Sequence, residues 1–148
     1  MSTLANLRAE LRKKANPKKA KILQRFFKTG KGEYGERDVF LGVIVPEIRE
    51  IVKKYKGLRF KDLRILLKSK IHEERLTALL ILVKQFQDAI TCDSVENGVM
   101  IYHNTSTGRK IFEFYLKNTK YINNWDLVDL SAPKIVGEYI LKQSEKSE

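Results

Sequence analysis

A single cysteine, Cys92, excludes an internal disulfide in this chain of 148 residues and fits a reducing compartment. Cys92 also lacks the basic neighbours that mark a nucleophilic thiol. Histidine is nearly as scarce. His72 and His103 stand 31 residues apart with no cysteine or paired carboxylate at ligand spacing, so no metal site is expected. The longest apolar run, Leu76 to Val83 with Thr77 and Ala78 inside it, is far too short for a membrane span. Met1-Ser2-Thr3 leads straight into a charged segment without a signal-peptide pattern, which predicts a cytoplasmic protein. The sequon Asn104-Thr105-Ser106 then has no glycosylation context. Three prolines and eight glycines leave long stretches free of helix breakers.

Acidic residues are under-represented, and unevenly so. Lysine and arginine number 29 against 18 acids, for a net charge of +11. Residues 1–60 carry 16 basic and 6 acidic side chains, whereas residues 61–148 carry 13 and 12. A field concentrated in one half favours a polyanionic partner, most often nucleic acid. The bland reading is a solubilising surface.

Helical signals run through the chain. Leu4, Leu7 and Leu11 fall at helical spacing within 3–15. Asn16-Pro17 ends one helix and starts the next, with Asn as cap and Pro in the first turn. The second helix is expected to bury Ala20, Leu23, Phe26 and Phe27. In the loop 29–40, Gly30, Gly32 and Gly35 formally satisfy G-x-G-x-x-G. A helix precedes the motif and no βαβ pattern surrounds it, so a dinucleotide role is set aside. Residues 40–45 read as a buried connector. Pro46 opens a helix closing at Gly57. Further helices are expected at 60–68, 71–87, 109–118, 123–130 and 132–143, and the 71–87 helix is apolar on most faces and so packed between neighbours. Glu73 and Glu74 read as solvated first-turn acids. Phe112, Phe114 and Tyr115 have core spacing. Residues 88–108 break the helical pattern and form a long connection, followed at the far end by a polar tail, 143–148.

The segment from Leu66 to Leu76 echoes the segment from Tyr115 to Leu127 after a short insertion. Short helix, tight turn, long helix, repeated, predicts an all-α fold: a right-handed α-solenoid of HEAT-like repeats, forming a single domain over 1–148. Aligning Ile71 with Ile122 puts Trp125 opposite Glu74 and Asp129 opposite Ala78. The acid thus departs from its own repeat, as a grafted site would. Trp125 is the only tryptophan, and on a helix Asp129 would lie one turn along the same face. An indole beside a carboxylate on a basic scaffold suits chemistry on a planar cation attached to a polyanion. The competing reading is a core tryptophan with an aspartate bonded to a neighbouring helix.

The motifs Asn16-Pro17-x-Lys19-Ala20, Phe40-Leu41-Gly42-Val43 with Pro46-Glu47-x-Arg49, His72-Glu73-Glu74-Arg75 and above all Trp125-Asp126-x-Val128-Asp129 resemble the AlkD-type DNA alkylation repair family. The resemblance covers nearly everything except 88–108. It implies a concave basic groove for double-stranded DNA and excision of purines made cationic by N3 or N7 alkylation, without metal or organic cofactor. It implies Asp129 as the catalytic carboxylate and Trp125 as an aromatic residue at the lesion. Lys13, Lys14, Lys18, Lys21, Arg25 and Lys31 would hold phosphates, with Ile44 and Val45 near the duplex. In a bacterial or archaeal cell the protein would be nucleoid-associated.

Two departures from that family stand out. Members normally continue for several helices that supply an assisting arginine and a second tryptophan, and residues 88–108 are longer than the equivalent connection. The chain is therefore expected to be a truncated array or a piece of a longer protein. Its C-terminal repeat would be uncapped and prone to self-association. The alternatives to a glycosylase are a non-catalytic helical-repeat nucleic-acid-binding module and a protein-interaction scaffold.

Overall fold

The computed structural model describes residues 3–90, 92–102 and 105–144. His103, Asn104 and the tail from 145 onward, which entered the metal, sequon and tail readings, lie outside the described residues. The architecture is all-α. Helix α1 (Leu4–Lys13) is capped by Thr3, whose hydroxyl accepts from the Asn6 amide, and it buries Leu7 and Leu11. Helix α2 (Pro17–Phe26) starts as its sequence dictates: Asn16 accepts from the amides of Lys18 and Lys19, with Pro17 in the first turn. Helices α3 (Val45–Tyr55) and α4 (Phe60–Leu67) bury Ile48, Ile51, Val52 and Tyr55, and Leu63, Leu66 and Leu67, on one stripe each.

Helix α5 (His72–Ala89) is the axis of the fold. It packs against α1, α3 and α4 on one side and against α6 (Ser106–Lys117) and α7 (Trp125–Asp129) on the other. Contact on so many sides explains why it lacks a polar stripe through its centre. The main core runs through Leu7, Ile51, Leu66, Leu79, Phe86, Ile111 and Leu127 to Tyr139. Phe114 and Tyr115 are buried as their spacing predicts, and Phe112 stacks on Tyr139 at 4.1 Å.

Short helix, turn and long helix recur, but the second long element is broken. After a 3-10 turn at Thr119–Tyr121, α7 has only five residues. A π-type turn, Pro133–Gly137, then leads into α8 (Glu138–Ser144). Between α5 and α6 the long connection carries an antiparallel hairpin, β1 (Cys92–Glu96) with β2 (Val99–Tyr102). Asn97 and Gly98 both take positive φ, 51° and 78°, as a two-residue hairpin turn with Asn-Gly requires.

Helix α2 stands apart from the main core. Its buried residues Ala20 and Phe27 form a small cluster with Phe40, with Leu23 packed alongside. Phe26, assigned to that buried face by its sequence, is 61% exposed. Adjacent residues diverge by about 100° on a helix, so Phe26 and Phe27 cannot share one interior face.

Candidate active site

Trp125 and Asp129 are carried by the shortest α-helix among the described residues, so their placement is imposed from outside it. The source is the first turn of α5. His72, Glu73, Glu74 and Arg75 are each 5% exposed or less. This corrects the expectation that Glu73 and Glu74 are solvated. A buried charge is retained only when its polar atoms are engaged, and each of these side chains reaches a different segment.

Glu74 receives a two-pronged hydrogen bond from Arg8 of α1, at 3.0 to 3.2 Å. The Glu73 carboxylate accepts the backbone amides of Leu41, Gly42 and Val43, the shortest at 2.7 Å. That segment in turn holds α2, because the Asn16 amide donates to the Leu41 carbonyl at 2.8 Å. Arg75 pairs with buried Asp38 and donates to Asn123 at 2.8 Å. His72 Nε2 lies 2.7 Å from the Asp126 carboxylate. Four consecutive residues thus fix α1, α2, the 38–43 segment and the entry to α7.

The far end of α7 is held as well. Tyr115 of α6 and Ser131 share a hydrogen bond at 2.8 Å, and burial pushes the Tyr115 phenol above its ordinary pKa. Pinned at both ends, α7 buries Leu127 and turns Trp125 and Asp129 outward. Trp125 is 48% exposed. Asp129 is exposed, and its carboxylate takes part in no hydrogen bond or ion pair among the described residues. A carboxylate locked in the interior is therefore excluded.

The indole is one member of an aromatic cluster. Phe26 meets it edge-on at 5.9 Å and Phe27 tilts against it at 5.4 Å. Phe27 stacks on Phe40 at 5.3 Å and on His72 at 5.1 Å. Beside them lies a mostly apolar cavity of about 250 Å³, lined by Leu23, Phe27, Val43, Ile44, Val45 and His72 among others. Ile44, 40% exposed, and half-buried Val45 thus sit beside the aromatic cluster.

Of the basic residues singled out, Lys13, Lys18, Lys21, Arg25 and Lys31 are exposed and Lys14 is half-buried. None forms an ion pair among the described residues. Their directions differ from that of the cavity. Lys18, Lys21 and Arg25 each lie two positions from a residue of the α2 inner cluster, Ala20, Leu23 or Phe27. At about 100° per residue, Lys18 and Arg25 stand roughly 140–180° from every residue of that cluster, and Lys21 roughly 100–160°. Lys19 instead falls in line with Phe26, seven residues on, about 20° apart, on the side of α2 that meets Trp125.

Phe26, Lys19, Phe40, His72 and Asp126 were not singled out for the site by their sequence. The paired aromatics at the end of α2 were the one local sign, since only one of them can face inward.

A helical-repeat scaffold, a cationic N-terminal half, and an open aromatic surface with an unpaired acid beside it define the class of protein. The family model described as "DNA alkylation repair enzyme" matches residues 7–148, and the chain belongs to that family. Neither a curated protein nor a solved structure gives a match. Among the described residues no helix is long and apolar enough to cross a membrane.

Proposed function

We propose that this chain acts in DNA repair as a glycosylase, removing purines made cationic by N3 or N7 alkylation. The observation that carries the reading is Asp129: an exposed, unpartnered carboxylate one helical turn from a half-exposed indole, on a helix pinned at both ends. Exposed acids are common. One placed on a rigid support beside a large aromatic surface, in a family of DNA alkylation repair enzymes, suits a substrate whose positive charge shifts onto the sugar as it reacts.

In that reaction the bond between C1′ and the purine nitrogen breaks, and its electron pair leaves with the base. Alkylation at N3 or N7 puts a positive charge on the purine ring, so the base departs neutral and is a good leaving group. The sugar gains oxocarbenium character, which the Asp129 carboxylate stabilises, as carboxylates do in glycoside hydrolysis. Water then bonds to C1′ and gives up a proton to bulk solvent, by way of the Asp129 carboxylate, while the alkylated base departs neutral. The faces of Trp125 and Phe26 attract the cationic base or the polarised sugar C–H groups. Lysines and arginines of the first two helices neutralise phosphates of double-stranded DNA. Residues Ile44 and Val45 stand near the duplex, and no metal or organic cofactor takes part. The cytoplasm or the nucleoid would be the place of action. Exposed Leu116 and Ile140 offer an apolar edge for self-association, which sedimentation across a concentration series tests.

The reading is tested by incubating the full chain with duplex DNA carrying N3- or N7-methylpurine and measuring free base. Asp129→Asn is expected to lower release by about 100-fold or more while the DNA is still bound. Release unchanged by that substitution removes the catalytic assignment. DNA retention without any release by the parent leaves a binding module instead.

A further inference from the structure

Of the two aspartates on α7, the one without an open face is Asp126. Its side chain is 14% exposed, and its Oδ2 lies 2.7 Å from Nε2 of a histidine that is 3% exposed. Its other oxygen accepts the Leu127 amide at 2.8 Å. Both oxygens are thus engaged, one by α5 and one by its own helix. His72 packs against Phe40 at 4.6 Å and against Phe27 at 5.1 Å, and Phe27 continues to the indole at 5.4 Å. Two routes therefore run from His72 to the site: a hydrogen bond to the residue beside Trp125, and ring packing that reaches Trp125 through Phe27.

A five-residue helix closes too few backbone bonds to hold itself in place. Outside α7, Asn123 is held by Arg75 and Ser131 by Tyr115. Within α7, the hydrogen bond from His72 to Asp126 is the side-chain tie to α5. Nδ1 of His72 is buried with no partner, so the bond to Asp126 is the imidazole's one hydrogen bond among the described residues. The neighbouring Glu73 does not compete for the ring, because the amides of Leu41, Gly42 and Val43 occupy its oxygens.

We propose that His72, acting through Asp126, is a positioning residue that sets where Trp125 and Asp129 stand relative to α5. Its effect on rate rests on the glycosylase reading; its effect on the indole does not. A misplacement of about 1 Å at a reacting group costs on the order of 100-fold in rate.

Four single variants of the full chain and one double variant separate the two routes. His72→Phe keeps a ring against Phe27 and Phe40 but removes the donor; His72→Gln restores a donor near the place of Nε2. Asp126→Ala removes the acceptor, and Asp126→Asn keeps one acceptor oxygen, enough for His72, at the expense of the contact with the Leu127 amide within α7. Acrylamide quenching and the emission maximum of Trp125, the only tryptophan, are read without DNA. Single-turnover release of methylpurine and DNA affinity are read separately. His72→Phe and Asp126→Ala are expected to increase quenching and slow release about 10- to 100-fold with DNA affinity retained. His72→Gln and Asp126→Asn are expected to stay close to the parent, and the double variant H72F/D126A to be no worse than either single one. Unchanged quenching in both His72→Phe and Asp126→Ala overturns the proposal, as does equal damage in the conservative pair. Should His72→Phe fail to fold, the contrast between Asp126→Ala and Asp126→Asn decides. If the parent releases no methylpurine, the glycosylase reading falls while quenching still judges the positioning role.

Discussion

Replacing Gly42 by alanine is expected to loosen α2 before it unfolds the rest of the chain. Gly42 has φ +83°, a conformation that strains any residue with a Cβ. A Cβ there would stand 2.1 Å from the Asn16 carbonyl oxygen and 2.8 Å from the Ala20 amide nitrogen. Both obstacles are backbone, so no side chain can rotate away. The left-handed conformation costs about 1–2 kcal/mol, and forced separation of packed segments adds about 1–3 kcal/mol. Together roughly 2–5 kcal/mol falls on the junction between 41–43 and the start of α2. Helix α2 rests on a separate, small cluster, so the cheapest relief is to lift it off. Phe26 and Phe27 would leave Trp125, whose quenching should rise and whose emission should move to longer wavelength. The assay is urea denaturation followed by tryptophan fluorescence and by far-UV circular dichroism. The two signals are expected to separate, with fluorescence changing first. A loss below about 1 kcal/mol with coincident transitions would refute the claim that α2 is clamped by close backbone approach at Gly42.

Three further outcomes can be checked. Arg8→Ala leaves the Glu74 carboxylate, 3% exposed, without its partner; because Arg8 is partly reached by water, the cost should fall near the low end for a broken buried pair, about 3 kcal/mol by urea denaturation. Lys19→Ala should weaken duplex binding more than Lys21→Ala and lower the slope of log affinity against log salt by about one; the opposite order would place the DNA on the other side of α2. Tyr55 donates a 2.7 Å hydrogen bond to Glu10, holding that carboxyl below its ordinary pKa and raising the tyrosine's own. The Glu10 contribution is present above about pH 4.5 and is lost as pH falls through the lowered folded value, while that of Tyr55 is present below about pH 10 and is lost as pH rises through the raised one. Glu10→Gln should flatten both limbs of a stability-against-pH curve.

The sequence reading succeeded where the determinant was local and failed where it was distant. Asn16-Pro17, Pro46 and the leucine spacing mark helices because caps and periodicity act within a few residues. The Trp125–Asp129 spacing puts both residues on α7, whereas their proposed roles rest on the resemblance. The buried turn of α5 was misread because Glu73 and Glu74 look like exposed acids until their partners are known, and those partners lie 30 to 66 residues away. The Asn97-Gly98 turn is a local signal too, but along the chain it registers only as an interruption of the helical pattern. Apolar spacing alone puts Phe26 in the core, although only one of two adjacent rings can turn inward.

These successes and failures follow from how the site is built. Most groups proposed to act on DNA are surface side chains that a linear pattern shows, although Phe26 and Lys19 are told from their neighbours only by the packing of α2. The groups that hold them still are buried, charged and paired over long separations, and neither hydropathy nor spacing records the pairing. His72 to Arg75 occupy one helical turn, yet they reach α1, the 38–43 segment and the approach to α7. One turn that fixes several segments gives each substitution there more than one consequence. Arg8→Ala should therefore alter the Trp125 environment less than Asp126→Ala does, even though it costs more stability, because Glu74 faces α1 while His72 faces the site. Equal effects of the two on Trp125 quenching would mean that the turn moves as a unit, and the division of labour among its four residues would be lost.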